Sequence, residues 1–161
     1  MSRASDLTQL LALRTLREER AKAAFAIGAA RLQEATRLLN EADAAIDAHD
    51  REVDQQERRF FEAMGLRPLP ENEFGREHDL LRVSDQRRDG LIDKRNDAAE
   101  VLAERERQLT LLRQEWRHRF SARDKLAEAE SRLRIAEQAR IEAMSELESE
   151  EMSADRARPA C

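Results

Sequence analysis

Large apolar residues recur at seven-residue steps along the first half of the chain: Phe25, Leu32, Leu39, Ile46, Val53 and Phe60. Three residues after each stand Gly28, Ala35, Ala42, His49, Gln56 and Ala63. A large residue at one seam position and a mostly small one at its companion is the pattern of a helix lying closely along another helix. Upstream, Leu10, Leu13, Leu16, Ala23 and Ile27 follow a different phase, which predicts a register slip between about residues 16 and 25. Gly65, Pro68 and Pro70 then interrupt the pattern, because a glycine and two prolines so close together end a helix. Beyond them the repeat returns with Leu102, Leu109 and Trp116. Phe120 shifts the phase by four, and Leu126, Ala129, Leu133, Ala136, Arg140, Ala143 and Leu147 resume alternating steps of three and four. The pattern predicts helix one over about 5–63, a turn over about 65–72 and helix two over about 76–152. A flexible acidic tail is predicted to follow over about 153–161.

Two long helices joined by a short turn pack antiparallel. The predicted fold is therefore all-α, a single long two-helix antiparallel coiled-coil hairpin. A turn near residue 70 places Trp116 against Ala24 or Phe25, Leu109 against Leu32, and Leu102 against Leu38 and Leu39. It also leaves about residues 136–152 beyond the start of helix one, although Ile141, Met144 and Leu147 keep apolar residues at helical spacing. Six acid-before-base pairs stand four residues apart: Glu18–Lys22, Asp47–Arg51, Asp54–Arg58, Glu115–Arg119, Glu128–Arg132 and Glu130–Arg134. On an exposed helical face each contributes about 0.2–0.5 kcal/mol.

Composition removes the alternatives to a helical fold. Val, Ile and Thr total 12 of 161 residues, Ala and Leu together 46, and tyrosine is absent. A sheet core needs β-branched and aromatic residues, so an all-β or α/β domain is excluded. A net charge of −5 argues against a general nucleic-acid binder. The longest uncharged run, Ala23 to Ala30, is far below a membrane span. The first residues lack the pattern of a secretory signal. The lone cysteine, Cys161, allows no intrachain disulfide. These features together lead to the expectation of a soluble cytoplasmic protein with no direct insertion into a membrane.

Motifs for chemistry are missing. His49, His78 and His118 have no partners at metal-ligand spacing, and the four glycines form no phosphate loop. His49 falls at a small seam position, as a core or edge residue. No catalytic residue, metal or cofactor is expected, and two paired helices offer no enclosed site in which to activate a nucleophile. Charge, by contrast, is uneven. Residues 41–57 hold seven acids and one base, Arg51. Arg14, Arg17, Arg20 and Lys22 form one basic run, and Arg113, Arg117, Arg119, Arg123 and Lys125 another. The hairpin register lays these two runs side by side, where they would suit an acidic protein partner. Near the turn, Phe60, Phe61, Met64, Leu66, Leu69, Phe74, Leu80 and Leu81 crowd together. They either staple the turn or form an exposed recognition patch.

The run Leu13-Arg14-Thr15-Leu16-Arg17-Glu18-Glu19-Arg20-Ala21-Lys22-Ala23-Ala24 resembles the opening of the YscO group of bacterial type III secretion proteins, counterparts of the flagellar export protein FliJ. Size, the Leu/Ala repeat after the motif, the break in mid-chain and the acidic end of the chain also fit that group. The resemblance implies a non-enzymatic coiled coil that acts as a stalk for the hexameric export ATPase. It would link that ATPase to the cytoplasmic domain of the export gate, at the periphery of the inner-membrane apparatus. In some members it also engages secretion chaperones. By matching positions, Arg14, Arg17, Arg20 and Lys22 would face the ATPase, with Arg113, Arg117, Arg119 and Arg123 as neighbours. Phe74, Leu80 and Leu81 near the turn are the candidates for the gate, on exposed apolarity rather than a motif. A generic coiled-coil tether and a transcription factor with an acidic coiled-coil tip are the competing classes. The second would use Glu71, Glu73, Glu77 and Asp79, but such factors usually carry a globular or zinc-bearing domain as well.

Overall fold

The computed structural model describes the backbone of residues 3–68 and 70–156 and the side chains of residues 5–68 and 70–153. Leu69 at the turn, and the end of the chain from residue 157 with Cys161, lie outside the described residues. Two helices account for nearly all of the rest: α1, Arg3–Leu66, and α2, Glu71–Arg156. Neither contains proline, and Ala, Leu, Glu and Arg, the strong helix formers, dominate both. The fold is all-α, with the helices antiparallel. Asp43 faces Arg95 and Asp50 faces Arg88, so seven residues forward along α1 are seven back along α2.

The turn is shorter than the sequence pattern suggested. Gly65 stays inside α1, and the Arg67 N–H still donates to the Ala63 carbonyl at 3.3 Å. No described residue has a positive φ. Pro68 has no N–H to continue the ladder. The Pro70 carbonyl accepts from the amides of Glu73 and Phe74, at 3.0 and 3.2 Å, and opens α2 five residues before the expected start. Glu71 and Glu73 in the first turn suit the positive end of the helix dipole. At its other end α2 runs on to Arg156, through the first residues of the predicted tail.

The chain divides into two units, Phe25–Leu112 and the residues before and after it. In the Phe25–Leu112 unit the covered positions of α1 include most of those the heptads predicted, among them Gly28, Ala35, Ala42 and His49, but Gln56 and Ala63 are exposed. They meet covered positions of α2 that include Ser84, Arg88, Leu91, Arg95, Leu102, Leu109 and Leu112. A Cβ placed on Gly28 would lie 2.7 Å from Leu112 Cδ1, so the Leu112 side chain occupies the space that the missing side chain leaves. In the other unit the covered positions include Leu11, Arg14, Glu18 and Ala21 on α1, and Trp116, Arg119, Arg123, Leu126 and Glu130 on α2.

These positions correct two expectations. The steps of three and four run unbroken from Leu11 to Val53, so α1 has no register slip; Leu10, Leu13, Leu16 and Ile27 are exposed. Phe120 does not shift the phase of α2 either. It is exposed, and Arg119 and Arg123 hold the seam positions beside it. The apolar pattern misled because polar residues hold several positions in this part of the seam, while Leu10, Leu13, Leu16 and Phe120 are exposed. The surface ion pairs also divide. Glu115–Arg119, Glu128–Arg132 and Glu130–Arg134 form as expected. Glu18 does not pair with Lys22; it is buried and binds α2. From Ser131 to Ser153 every side chain is exposed, rather than from about residue 136.

Candidate partner-binding surfaces

The first surface is built on Glu18, which is 6% exposed in the seam. The Trp116 indole Nε1–H donates to its Oε1 at 2.9 Å, and Arg123 Nη1 stands 3.5 Å from its Oε2. Arg123 also lies over the Phe120 ring, 4.9 Å from its centre. Across the seam, Arg14 Nη1 donates to the Ala122 carbonyl at 2.7 Å. These contacts tie α1 to α2 and carry the basic runs of both helices to one place. Arg17, Arg20 and Ala21 of α1 line an open depression with Glu115 and Arg119 of α2.

The eight predicted basic residues therefore divide by what they touch. Arg123 is paired with Glu18, and Arg119 donates to Glu115 at 2.6 Å. Arg14 is anchored to a carbonyl, and Arg113 has an interaction of its own within the protein. Among the described residues, Arg17, Arg20, Lys22 and Arg117 are exposed and have no ion pair or side-chain hydrogen bond. Leu13 and Leu16 are exposed beside Arg14 and Arg17. Sequence reasoning missed Glu18 as the organising residue. The seven-residue spacing of Phe25 and Glu18 carried the signal.

The second surface is the apex. Phe60, Phe61, Met64, Phe74, Leu80 and Leu81 line a cleft of about 310 Å³, rimmed by Glu57, Glu77 and His78. Phe60 packs edge-on to Phe61, with ring centres 5.8 Å apart, and is 6.2 Å from Phe74. Arg67 and Glu73 pair across the turn at 3.7 Å. Of the three predicted contacts, Phe74 and Leu80 are exposed, whereas Leu81 is half-buried. Stapling and exposure thus coexist: Phe60 is half-buried, while Phe61 and Phe74 present most of their surface to water.

Between these surfaces, the acidic stretch of α1 is partly neutralised by α2. Arg88 binds both carboxylate oxygens of Asp50, at 2.8 and 3.1 Å, and Arg95 Nε donates to Asp43 at 3.0 Å. The hydrogen bond from Arg88 holds the Asp50 carboxyl below its ordinary value, against the opposing effect of desolvation. Nearby, His49 is 7% exposed. Its Nε2 lies 3.1 Å from the Ser84 carbonyl and 3.2 Å from the Ser84 hydroxyl. A carbonyl only accepts, so Nε2 carries the proton and donates, leaving Nδ1 buried without a partner. Among the described residues, no group of three or more His, Cys, Asp or Glu could hold a metal ion, and no helix is long and apolar enough to cross a membrane. Comparisons with protein-family models, curated proteins and solved structures find no match for this chain.

Proposed function

We propose that the protein is a non-enzymatic, stalk-like coiled coil of a bacterial type III secretion apparatus, cytoplasmic and peripheral to the inner membrane. It docks its basic end on the hexameric export ATPase and reaches the cytoplasmic domain of the export gate with its apex; secretion chaperones are further partners. The observation that supports this reading most is the union of the two basic runs. Arg17 and Arg20 from α1 and Arg119 from α2 border one depression, with exposed Leu13 and Leu16 on the same stretch of α1. Arg17 and Arg20, cations without internal partners beside apolar side chains, suit docking among acidic loops. There the charge steers the encounter, and the leucines supply contact area. Guanidinium groups suit the role because they remain charged and grip carboxylates with two parallel bonds.

The test measures activity of the cognate hexamer with added chain. Wild type should bind and stimulate it, less so as salt is raised. Arg17→Glu with Arg20→Glu should abolish stimulation while leaving helicity intact, since neither side chain holds the seam. Asp47→Lys with Asp54→Lys, in the acidic stretch, should change little. Equal stimulation by wild type and the arginine variant would remove the basic end from the interface. No binding by wild type would favour the generic tether.

A further inference from the structure

Besides its seam, α1 carries a second stripe. Leu10, Leu13, Leu16, Arg17 and Arg20 share one face by helical spacing, and all five are exposed. The leucines come first and the arginines after. The end of α2 repeats that order with the opposite charge. Ile141, Met144, Leu147, Glu148 and Glu151 are also exposed, and each stands 131 places after its counterpart, from Leu10 and Ile141 to Arg20 and Glu151. Among the described residues, neither arginine and neither glutamate has an ion pair or side-chain hydrogen bond.

The two sets cannot meet within one chain. Arg14 reaches the Ala122 carbonyl and Thr8 reaches Glu130, so Leu16 lies beside the part of α2 around Ala122. From there α2 continues unbroken to Arg156, and Leu147 lies about 38 Å further along it at the rise of an α-helix. A stripe and its complement that share a molecule but cannot reach each other can meet only between molecules.

We infer that the outer stripe of α1 binds the acidic end of α2 from a second copy of this chain, residues 10–22 lying parallel to residues 141–153. Leu10, Leu13 and Leu16 meet Ile141, Met144 and Leu147, while Arg17 and Arg20 meet Glu148 and Glu151. The sequence selects this register. A shift of one heptad in one direction sets Ile141 on Arg17 and Met144 on Arg20; the opposite shift sets Glu148 on Leu10 and Glu151 on Leu13. Either sets charge on apolar side chains. One turn before Leu10 and Ile141, Asp6 would face Glu137, so the contact ends there. Because α1 and α2 are antiparallel, this arrangement makes the α2 helices of the two copies antiparallel, as a two-fold axis requires. The contact is then made twice, and each substitution acts twice. Each stripe spans less than two heptads, so the pairing is a concentration-dependent equilibrium. The dimer covers Arg17 and Arg20 and so withholds the basic end from any other acidic partner.

Sedimentation equilibrium of the full chain tests this without the ATPase, so the outcome is separate from that of the proposed function. Wild type should pass from monomer to dimer as concentration rises, and less readily as salt is added. Arg17→Glu with Arg20→Glu should weaken the dimer about tenfold or more, and so should Glu148→Arg with Glu151→Arg, by setting like charges together. All four changes combined should restore wild-type association, because each glutamate then meets an arginine again. These side chains are exposed in the single chain, so circular dichroism should stay helical throughout. Oxidative cross-linking locates the contact. With Cys161→Ser as background, Leu13→Cys plus Met144→Cys should give a disulfide-linked dimer, whereas Met144→Cys alone should not. A chain that is monomeric at every concentration would overturn the inference. So would charge reversals that the fourfold variant fails to rescue, or cross-linking by Met144→Cys alone, which would set the two α2 ends against each other instead.

Discussion

Among the described residues each unit carries one buried polar residue in its seam, and the two are satisfied very differently. Glu18, outside the Phe25–Leu112 unit, accepts from an indole N–H and lies against a guanidinium, both from α2. His49, inside it, has hydrogen bonds to Ser84 alone and leaves Nδ1 without a partner. The apolar side chains around them bury little: Ala35 and Leu126 are the buried hydrophobic residues among those described. In so thin an interface a polar residue contributes through the alignment it demands. Glu18 permits one alignment of the helices, because a shifted α2 would leave its carboxylate buried without Trp116 or Arg123. His49 demands less, since a serine hydroxyl and a carbonyl are weaker and more replaceable partners than a charge.

The largest effect should therefore come from Glu18→Ala, which leaves the indole N–H and Arg123 without their acceptor. A loss of about 3 kcal/mol is expected in urea unfolding followed by circular dichroism. Trp116→Phe, which keeps most of the ring but removes the N–H, should cost about 1 kcal/mol. If Glu18→Ala costs no more than Trp116→Phe, the carboxylate is not the organising group. Leu126→Ala comes next, at about 2 kcal/mol, because the seam closes over a side chain that is 9% exposed. Leu147→Ala, on the same helix and in the same heptad phase, should shift stability by less than about 0.5 kcal/mol, because Leu147 is exposed.

His49→Leu reverses the sign seen at Glu18. The substitution removes a buried nitrogen that has no partner and puts an aliphatic side chain at a seam position. The Ser84 hydroxyl it leaves can turn to a carbonyl of its own helix. Stability should stay level or rise by about 1 kcal/mol in the same unfolding measurement. A loss comparable to that of Glu18→Ala would mean that the two polar seam residues are equivalent after all.

The fold was legible because its signal is periodic. Phe25 to Phe60 marked the seam of α1 directly, and their small companions marked the close approach at Gly28. What failed was the reading of the same heptad where polar residues occupy it. Arg14 and Glu18 continue the steps of Phe25 and Gly28, but an apolar count passes over them and settles on the exposed leucines Leu10, Leu13 and Leu16. Phe120 misled in the same way, as an aromatic residue outside the seam between two arginines within it. The basic runs were legible as composition. Which of their members are already engaged was not, since that depends on partners about a hundred residues away, such as Ala122 for Arg14 and Arg123 for Glu18. The apex could be named from its crowd of aromatics. The division between half-buried Phe60 and exposed Phe74 could not, since both stand in the same aromatic crowd in the sequence.

The smallest effect tests how far burial separates the two units. Asp50 pairs with Arg88 across the helices, but both side chains are half-exposed. The hydrogen bond from Arg88 lowers the Asp50 carboxyl below its ordinary value in the folded chain. A carboxyl lowered on folding stabilises the fold above its unfolded value, about 3.9, and that contribution disappears as pH falls through the lower folded value. Asp50→Asn removes the charge but keeps the shape. The gap in melting temperature between wild type and Asp50→Asn should therefore be constant from about pH 7 to pH 5 and shrink below about pH 4. Glu34 and Glu104 are lowered as well, but chiefly by Arg37 and Arg107 on their own helices, so they report less on the seam. Salt adds the sharper comparison. Water surrounds the Asp50–Arg88 pair, so mobile ions screen it, and its gap should narrow as salt is raised at neutral pH. The Glu18 carboxylate is shielded from those ions, and the gap for Glu18→Ala should hardly move. Equal salt sensitivity at the two positions would mean that Glu18 is reached by solvent and that the two units are held by the same kind of contact.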